Sequence, residues 1–164
     1  ATTYLIKKTQ QQPGYLCSSY PIINFAERAS GFHNALRISG LSSSKSIIHK
    51  LSPSVEGAFL DMIEILQQKE PLAKCYFADN DLIAVGAMRA FKAKGYRIPE
   101  DIAIVGFDNI DFSNIVEPSL TTIHVPKKEM GKIALNRLIE LIRQPKAVPT
   151  KIEVSTHLIK RRST

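Results

Sequence analysis

Three polar side chains stand just beyond or beside apolar segments. Asp108 closes the run from Ile102 to Phe107, Asn80 follows the segment CYFAD, and Arg28 lies within FAERASGF. Their chemistry is complementary: a guanidinium is a rigid donor fork, a carboxamide both donates and accepts, and a carboxylate only accepts. Converging on one crevice, such a set suits the hydroxyls of a sugar or the ring nitrogens of a nucleobase. Each also has a plain structural use. Asp108 could cap a turn or helix, Asn80 is a natural helix N-cap, and Arg28 could pair with Glu27 or Glu56 on the surface. Asp111, three residues after Asp108, is a weaker second candidate.

Convergence depends on the elements that carry these residues. Tyr15 to Ser18 reads as a short strand, and Asn24 to Ser39 as a helix with Phe25, Ala29, Phe32 and Leu36 on one face. Strand Ser46 to Leu51 and helix Ser54 to Lys69 follow, the latter with Val55, Phe59, Met62, Ile63 and Leu66 on one side and a serine at its start. Lys74 to Ala78 is a third strand, Asp81 to Lys94 a third helix closed by Gly95, and Asp101 to Phe107 a fourth strand. Strand and helix alternate at the spacing of right-handed βαβ crossovers, so the expected fold class is α/β with a doubly wound parallel sheet. In such a sheet, ligands collect beyond the carboxyl ends of the strands, where Arg28, Asn80 and Asp108 are all expected to point.

After Asp108 the pattern changes. A loop from Asn109 to Ser119 leads to a strand over Leu120 to Val125, and Pro126 opens a long helix to about Arg143 as a favoured first-turn residue. A last strand is expected over about Lys151 to Ile159, where Ile152, Val154, Thr156 and Leu158 alternate.

The 164 residues, 44% hydrophobic and 23% charged, are ordinary for one globular unit with a real core. No apolar run reaches the length of a membrane span, and no basic-then-apolar leader opens the chain; Ala1 to Lys8 reads as the back half of a helix. Cys17 and Cys75 fall in predicted strands as small buried hydrophobes, which favours free thiols and a cytosolic setting. The net charge of +7 invites a nucleic-acid reading, but residues 1–125 carry twelve basic and twelve acidic side chains, against ten and three in residues 126–164. Lys127, Lys128, Lys132, Arg137 and Arg143 fall on the polar side of the last helix, and Lys160 to Arg162 form a terminal cluster. No aromatic residues interleave and no recognition-helix pattern accompanies them, so a solvated face is expected.

Signals of catalysis are missing. No glycine-rich dinucleotide or phosphate loop and no nucleophile elbow follows any strand. His33, His49, His124 and His157 lack metal-ligand spacing. A phosphoacceptor receiver domain would need an acidic cluster after the first strand, where this chain has Cys17, Ser18 and Ser19.

The stretch RIPEDIAIVGFDNIDFSNIVEP, running into SLTTI, with ADNDLIAVGAMRA upstream, closely resembles the effector-binding core of the lactose/galactose-repressor (LacI/GalR) family of bacterial transcription regulators. FAERASGFHNAL resembles the family segment whose arginine grips the effector, which assigns that role to Arg28. ADNDLIAVGAMRA resembles the family's asparagine-aspartate helix start, which puts the pocket side chain at Asn80 and leaves Asp81 a structural cap. VGFDNIDF resembles the segment whose first aspartate binds the effector, here Asp108. The chain departs from the pattern at Pro53, where an aromatic usually stacks on the ligand, and at Val125, where a glutamine is common.

The resemblance implies a periplasmic-binding-protein-like fold, with residues 1–125 mainly the C-terminal subdomain and residues 126–164 a crossover helix and final strand. It implies a small polar effector between two subdomains, without catalysis, cofactor, metal or membrane contact, in a cytoplasmic protein. Operator DNA would be read by a separate amino-terminal helix-turn-helix outside this sequence. It also implies a homodimer. The third helix, Leu82 to Met88, is apolar nearly all round, so its second face must be buried by a partner or by this chain's own loops; the expected contacts are Val85, Phe112 and Val116. The last helix carries Met130, Ile133, Ala134, Leu138 and Ile142, which would pack on the partner subdomain or else fold back, swap or stay exposed. The competing class is a ribose-type solute-binding protein delivering a sugar to a transporter. It shares the fold, but the RIPEDIAIVGFDNIDF to SLTTI stretch matches repressors better.

Overall fold

The computed structural model describes residues 1–164. Its elements are α1 (Thr2–Thr9), β1 (Gly14–Ser18), α2 (Ile23–Ile38), β2 (Ile48–Leu51), α3 (Val55–Gln67), β3 (Cys75–Ala78), α4 (Asp81–Ala93), β4 (Ala103–Asp108), α5 (Phe112–Ile115), β5 (Thr121–His124), α6 (Lys127–Arg143) and β6 (His157–Ile159). The strands form one sheet in the order β2-β1-β3-β4-β5-β6, parallel except where β6 runs against β5.

Period-two alternation in the central strands assigns each side chain to one of two cores. Tyr15, Cys75, Phe77, Ala103 and Val105 meet Leu5, Phe32 and Leu36 from α1 and α2. Leu16, Tyr76, Ala78 and Ile104 meet Ala58, Met62, Ile83, Ala84, Ala87 and Phe91 from α3 and α4 on the opposite face. Burial on both faces is why β3 and β4 read as nearly unbroken apolar runs. Helix α3 starts where Ser54 Oγ accepts from the Gly57 amide at 3.1 Å, and α4 gives way to Gly95 at φ 84°. Helices α3 and α4 approach closely at Gly86, where an added Cβ would lie 2.5 Å from the Val55 carbonyl oxygen and 2.6 Å from Ala58 Cβ.

Since β1 lies between β2 and β3, the chain leaves it first to one side and then to the other. That reversal makes a switch point at the carboxyl ends of β1 and β3, where crossover loops diverge and leave a crevice.

The carboxyl-terminal region differs from its sequence reading. The last strand is confined to His157–Ile159, and residues 151–156 are not strand. Ile152 and Val154 instead line a cleft with Met130, Ile133, Leu138 and Leu141 of α6. Beyond His124 the sheet offers β6 no partner, so alternation there serves packing against a helix instead of strand pairing. Helix α6 buries no residue fully and leaves Leu135, Leu138 and Ile142 exposed. Pro126 is its N-cap, one position before the expected place, and the loop after Asp108 contains the single-turn α5.

The terminal basic cluster is also not simply solvated. Ser163 is fully buried, with its hydroxyl donating to the Ile104 carbonyl at 2.6 Å and accepting from the Thr121 amide at 2.8 Å. Arg161 turns inward toward the β4–α5 loop.

Candidate functional site

Strand β4 carries Asp108 to the crevice through Gly106, the one residue that fits there. A Cβ at Gly106 would run into Asp81 Oδ1 and come within 2.9 Å of Leu120 Cδ2. Asp108 and Asn109 then take φ 109° and 51°, two successive non-glycine residues in the left-handed half of backbone space. Such geometry persists where surrounding contacts impose it, and it is characteristic of ligand sites.

Arg28, in the second turn of α2, reaches back across the switch point. Its Nη2 lies 3.4 Å from Asp108 Oδ1, its Nη1 donates to the Asp79 main-chain oxygen, and its guanidinium stacks 3.9 Å from the Phe107 ring centroid. The Phe25 ring lies 5.3 Å away. Glu27 and Glu56 are not its partners, and Glu56 pairs with Arg89 at 3.1 Å. The two side chains remain 16% and 28% exposed, so they are held in place yet reachable. Burial raises the Asp108 pKa above its ordinary value, against the opposing charges of Arg28 and Lys127. Lys127 also donates to the Asp108 main-chain oxygen.

The Asn80–Asp81 pair divides its roles differently from the sequence expectation. Asn80 is the cap of α4, its Oδ1 accepting from the Ile83 amide at 2.9 Å. That leaves the amide nitrogen of Asn80 as a donor. Asp81 is not a cap. Fully buried, it takes a 2.5 Å bond from Thr122 Oγ1 and a 2.9 Å bond from the Ile110 amide, tying α4 to β5 and to the loop after Asp108. Burial pushes its pKa up to about 6, and the Asp108 charge adds to the rise.

Asp79 was not among the expected site residues. It is buried, accepts from the Tyr15 hydroxyl and, at 2.6 Å, from the Ser18 amide, and so bolts β3 to β1 at the switch point. Burial raises its pKa, against those hydrogen bonds. Burial also raises the Tyr15 pKa, reinforced by the hydrogen bond to Asp79. The sequence clue was its place directly after β3, beside Asn80.

The structure thus joins Arg28 and Asp108 directly, and connects Asn80 to them only through its neighbour Asp79. Two open clefts flank the cluster: one of about 390 Å³ includes Arg28, Phe107, Phe77 and Ile123, and one of about 430 Å³ includes Asp79, Ser18, Tyr20 and Ile23. Asp111 is exposed and lines a third cleft, beside Asn109 and His124. No three His, Cys, Asp or Glu side chains are grouped so as to hold a metal ion. No helix is long and apolar enough to cross a membrane.

Of the residues expected at a subunit contact, Val85 is 3% exposed and lies in the chain's own core with Val116 packed against that core, whereas Phe112 is 60% exposed. Val85 therefore has almost no surface to offer a partner. Ile115, 75% exposed, adds an apolar side chain beside Phe112 on α5.

Residues 2–164 match the family described as the periplasmic binding protein-like domain. The HTH-type transcriptional regulator GalS of Salmonella typhimurium is 37% identical over 134 residues, 82% of this chain and 39% of that protein. The HTH-type transcriptional repressor PurR of Shigella dysenteriae is 34% identical over 164 residues, 99% of this chain and 48% of that protein. The chain thus spans less than half the length of these two relatives. Among solved structures, a LacI family transcriptional regulator from Enterococcus faecium with bound ribose superposes with a TM-score of 0.89 at 29% identity, covering 99% of this chain and 60% of that one.

Proposed function

Since this chain belongs to the periplasmic-binding-protein-like domains of the LacI/GalR family of transcription regulators, we propose that it senses a small polar effector, a sugar in the first instance and a nucleobase in the second, at the carboxyl ends of β3 and β4. Arg28, Asn80 and Asp108 contact the effector, and Asp79 and Phe107 hold Arg28 in place. The observation that carries this reading is the Arg28–Asp108 pair: a donor fork facing an acceptor, partly buried and within reach of solvent. A hydroxyl placed between them can accept from one and donate to the other. The ribose bound by the Enterococcus faecium regulator supports a sugar.

In the intact protein the effector sits between this subdomain and a second one and shifts the balance between their arrangements. A separate helix-turn-helix then reads operator DNA in the cytoplasm. The protein acts as a homodimer through α5, with Phe112, Ile115 and Val116 at the contact. The regulators matched above are the observation that favours this reading over a transport carrier. A thermal-shift panel of sugars and purines on the intact protein tests it. At least one compound should raise Tm in the wild type, and a panel in which none does so would count against an effector of these two classes.

A further inference from the structure

Resting on the reading of Asp108 as an effector ligand, we propose that His124, acting through Asn109, is a positioning residue that holds Asp108 in its ligand-binding conformation only while the imidazole is neutral. Arg161 Nη2 donates to Asn109 Oδ1 at 2.7 Å, and Ser113 Oγ lies 3.2 Å from the same oxygen. A guanidinium has no acceptor, so the amide atom facing it must be the oxygen. That fixes the other end: Asn109 Nδ2 faces His124 Nδ1 at 2.9 Å. An amide NH2 group only donates, so Nδ1 accepts and the neutral ring carries its proton on Nε2.

Protonation makes both ring nitrogens donors. An Nδ1–H would then meet an N–H. Rotating the Asn109 amide by half a turn offers no escape, because the NH2 group would then face the Arg161 guanidinium, which has no acceptor. One link of the chain has to break. Asn109 holds φ 51° directly after Asp108 at φ 109°, and its side chain anchors this left-handed pair against β5 and the carboxyl-terminal tail. Releasing it frees the backbone that aims the Asp108 carboxylate. His124 is also the register partner of Asp108 across the β4–β5 pair, so the two lie side by side at the sheet edge of the crevice.

Charged and titratable neighbours face the ring from each packed element. Asp108 stands on β4, His157 on β6 with ring centroids 5.0 Å apart, Lys127 at the start of α6, and Arg161 behind Asn109. Asp111, Lys128 and Glu129 line the same open cleft of about 560 Å³ as His124 and Asn109, which gives protons a route to the ring. Ser113 Oγ also bonds the Ile110 carbonyl at 2.6 Å, which carries the same network into α5.

The test is nuclear magnetic resonance on the full, isotope-labelled chain without ligand, between about pH 5 and 8. Long-range proton–nitrogen spectra of the imidazoles should show neutral His124 with its proton on Nε2. The backbone amide signals of Asp108, Asn109 and Ser113 should move with the His124 midpoint, also in a His157→Gln chain that removes the neighbouring titration. His124→Asn keeps an acceptor oxygen near the Nδ1 position and cannot be protonated, so it should hold those amides at their high-pH positions throughout. A neutral His124 protonated on Nδ1 would overturn the proposal, as would Asp108 and Asn109 amides that stay still through the His124 midpoint. Both wild-type readings stand even if the variants fail to fold. Because no ligand is used, a failed effector search leaves this result untouched, and a failed titration leaves the effector site standing.

Discussion

Asp108 combines an unusual backbone with a half-buried carboxylate, and both are sustained by groups remote in sequence. Arg28 comes from α2, Lys127 from α6, and the Asn109 clamp from the carboxyl-terminal tail. Arg28 and Asp108 were legible because strand ends and helix starts in a parallel sheet are read directly from the alternation of apolar runs. Asp79 was not, since its partner Tyr15 lies 64 residues away and only the sheet order brings them together. Asn80 took the cap that the resemblance gave to Asp81, because either type can cap a helix and backbone placement decides between adjacent candidates, while Asp81 is buried against Thr122 and the Ile110 amide. Asp81 yields a pH prediction. Its folded pKa, about 6, lies above its ordinary value of 3.8, so between these limits the folded chain holds more protons than the unfolded one and stability falls as pH rises. That contribution is fully present below about 3.8 and lost above about 6. Asp81→Asn, which mimics the protonated acid, should therefore gain stability relative to wild type as pH rises through 6 in urea titrations. An offset that is the same at both ends of that window would refute the prediction.

At the scale of elements, the alternation through β4 was readable because its helices and strands have distinct hydrophobic periods. The final strand was not, because extended chain packed on a helix shows the same alternation as a strand in a sheet. Helix α4 illustrates a second limit: an all-round apolar helix states that both faces are buried but not by what. Here α3 covers much of it, with Gly86 allowing the close approach, and Val85 is enclosed. Of the expected contact residues, the one left well exposed is Phe112, beside Ile115 on α5, which is the contact proposed above. Phe112→Asp and Ile115→Asp should each shift sedimentation of the chain toward the monomer while leaving its circular dichroism intact. Val85→Asp does not test the contact, since it places a charge in the core. An unchanged oligomeric state in both α5 variants would exclude this surface.

At the scale of the whole molecule, the +7 charge belongs to the tail, and part of that tail is already engaged. Lys127 serves the Asp108 backbone, Arg137 pairs with Glu140 at 2.6 Å, and Arg161 holds Asn109. This chain alone should show no sequence preference for duplex DNA, and any residual association should weaken steeply with added salt in a mobility-shift series. Selective retention of one duplex at physiological salt would contradict that expectation.

The most direct measurement is calorimetric titration of the intact protein with the sugar or purine that gives the largest thermal shift, comparing wild type with Asp108→Ala. Loss of the acceptor leaves the ligand's donor and the Arg28 fork without their partner, which costs about 1–3 kcal/mol. The expected result is a roughly 5- to 150-fold weaker affinity at unchanged folding. A folded Asp108→Ala protein that binds the compound as tightly as wild type would contradict the placement of the effector at the carboxyl end of β4.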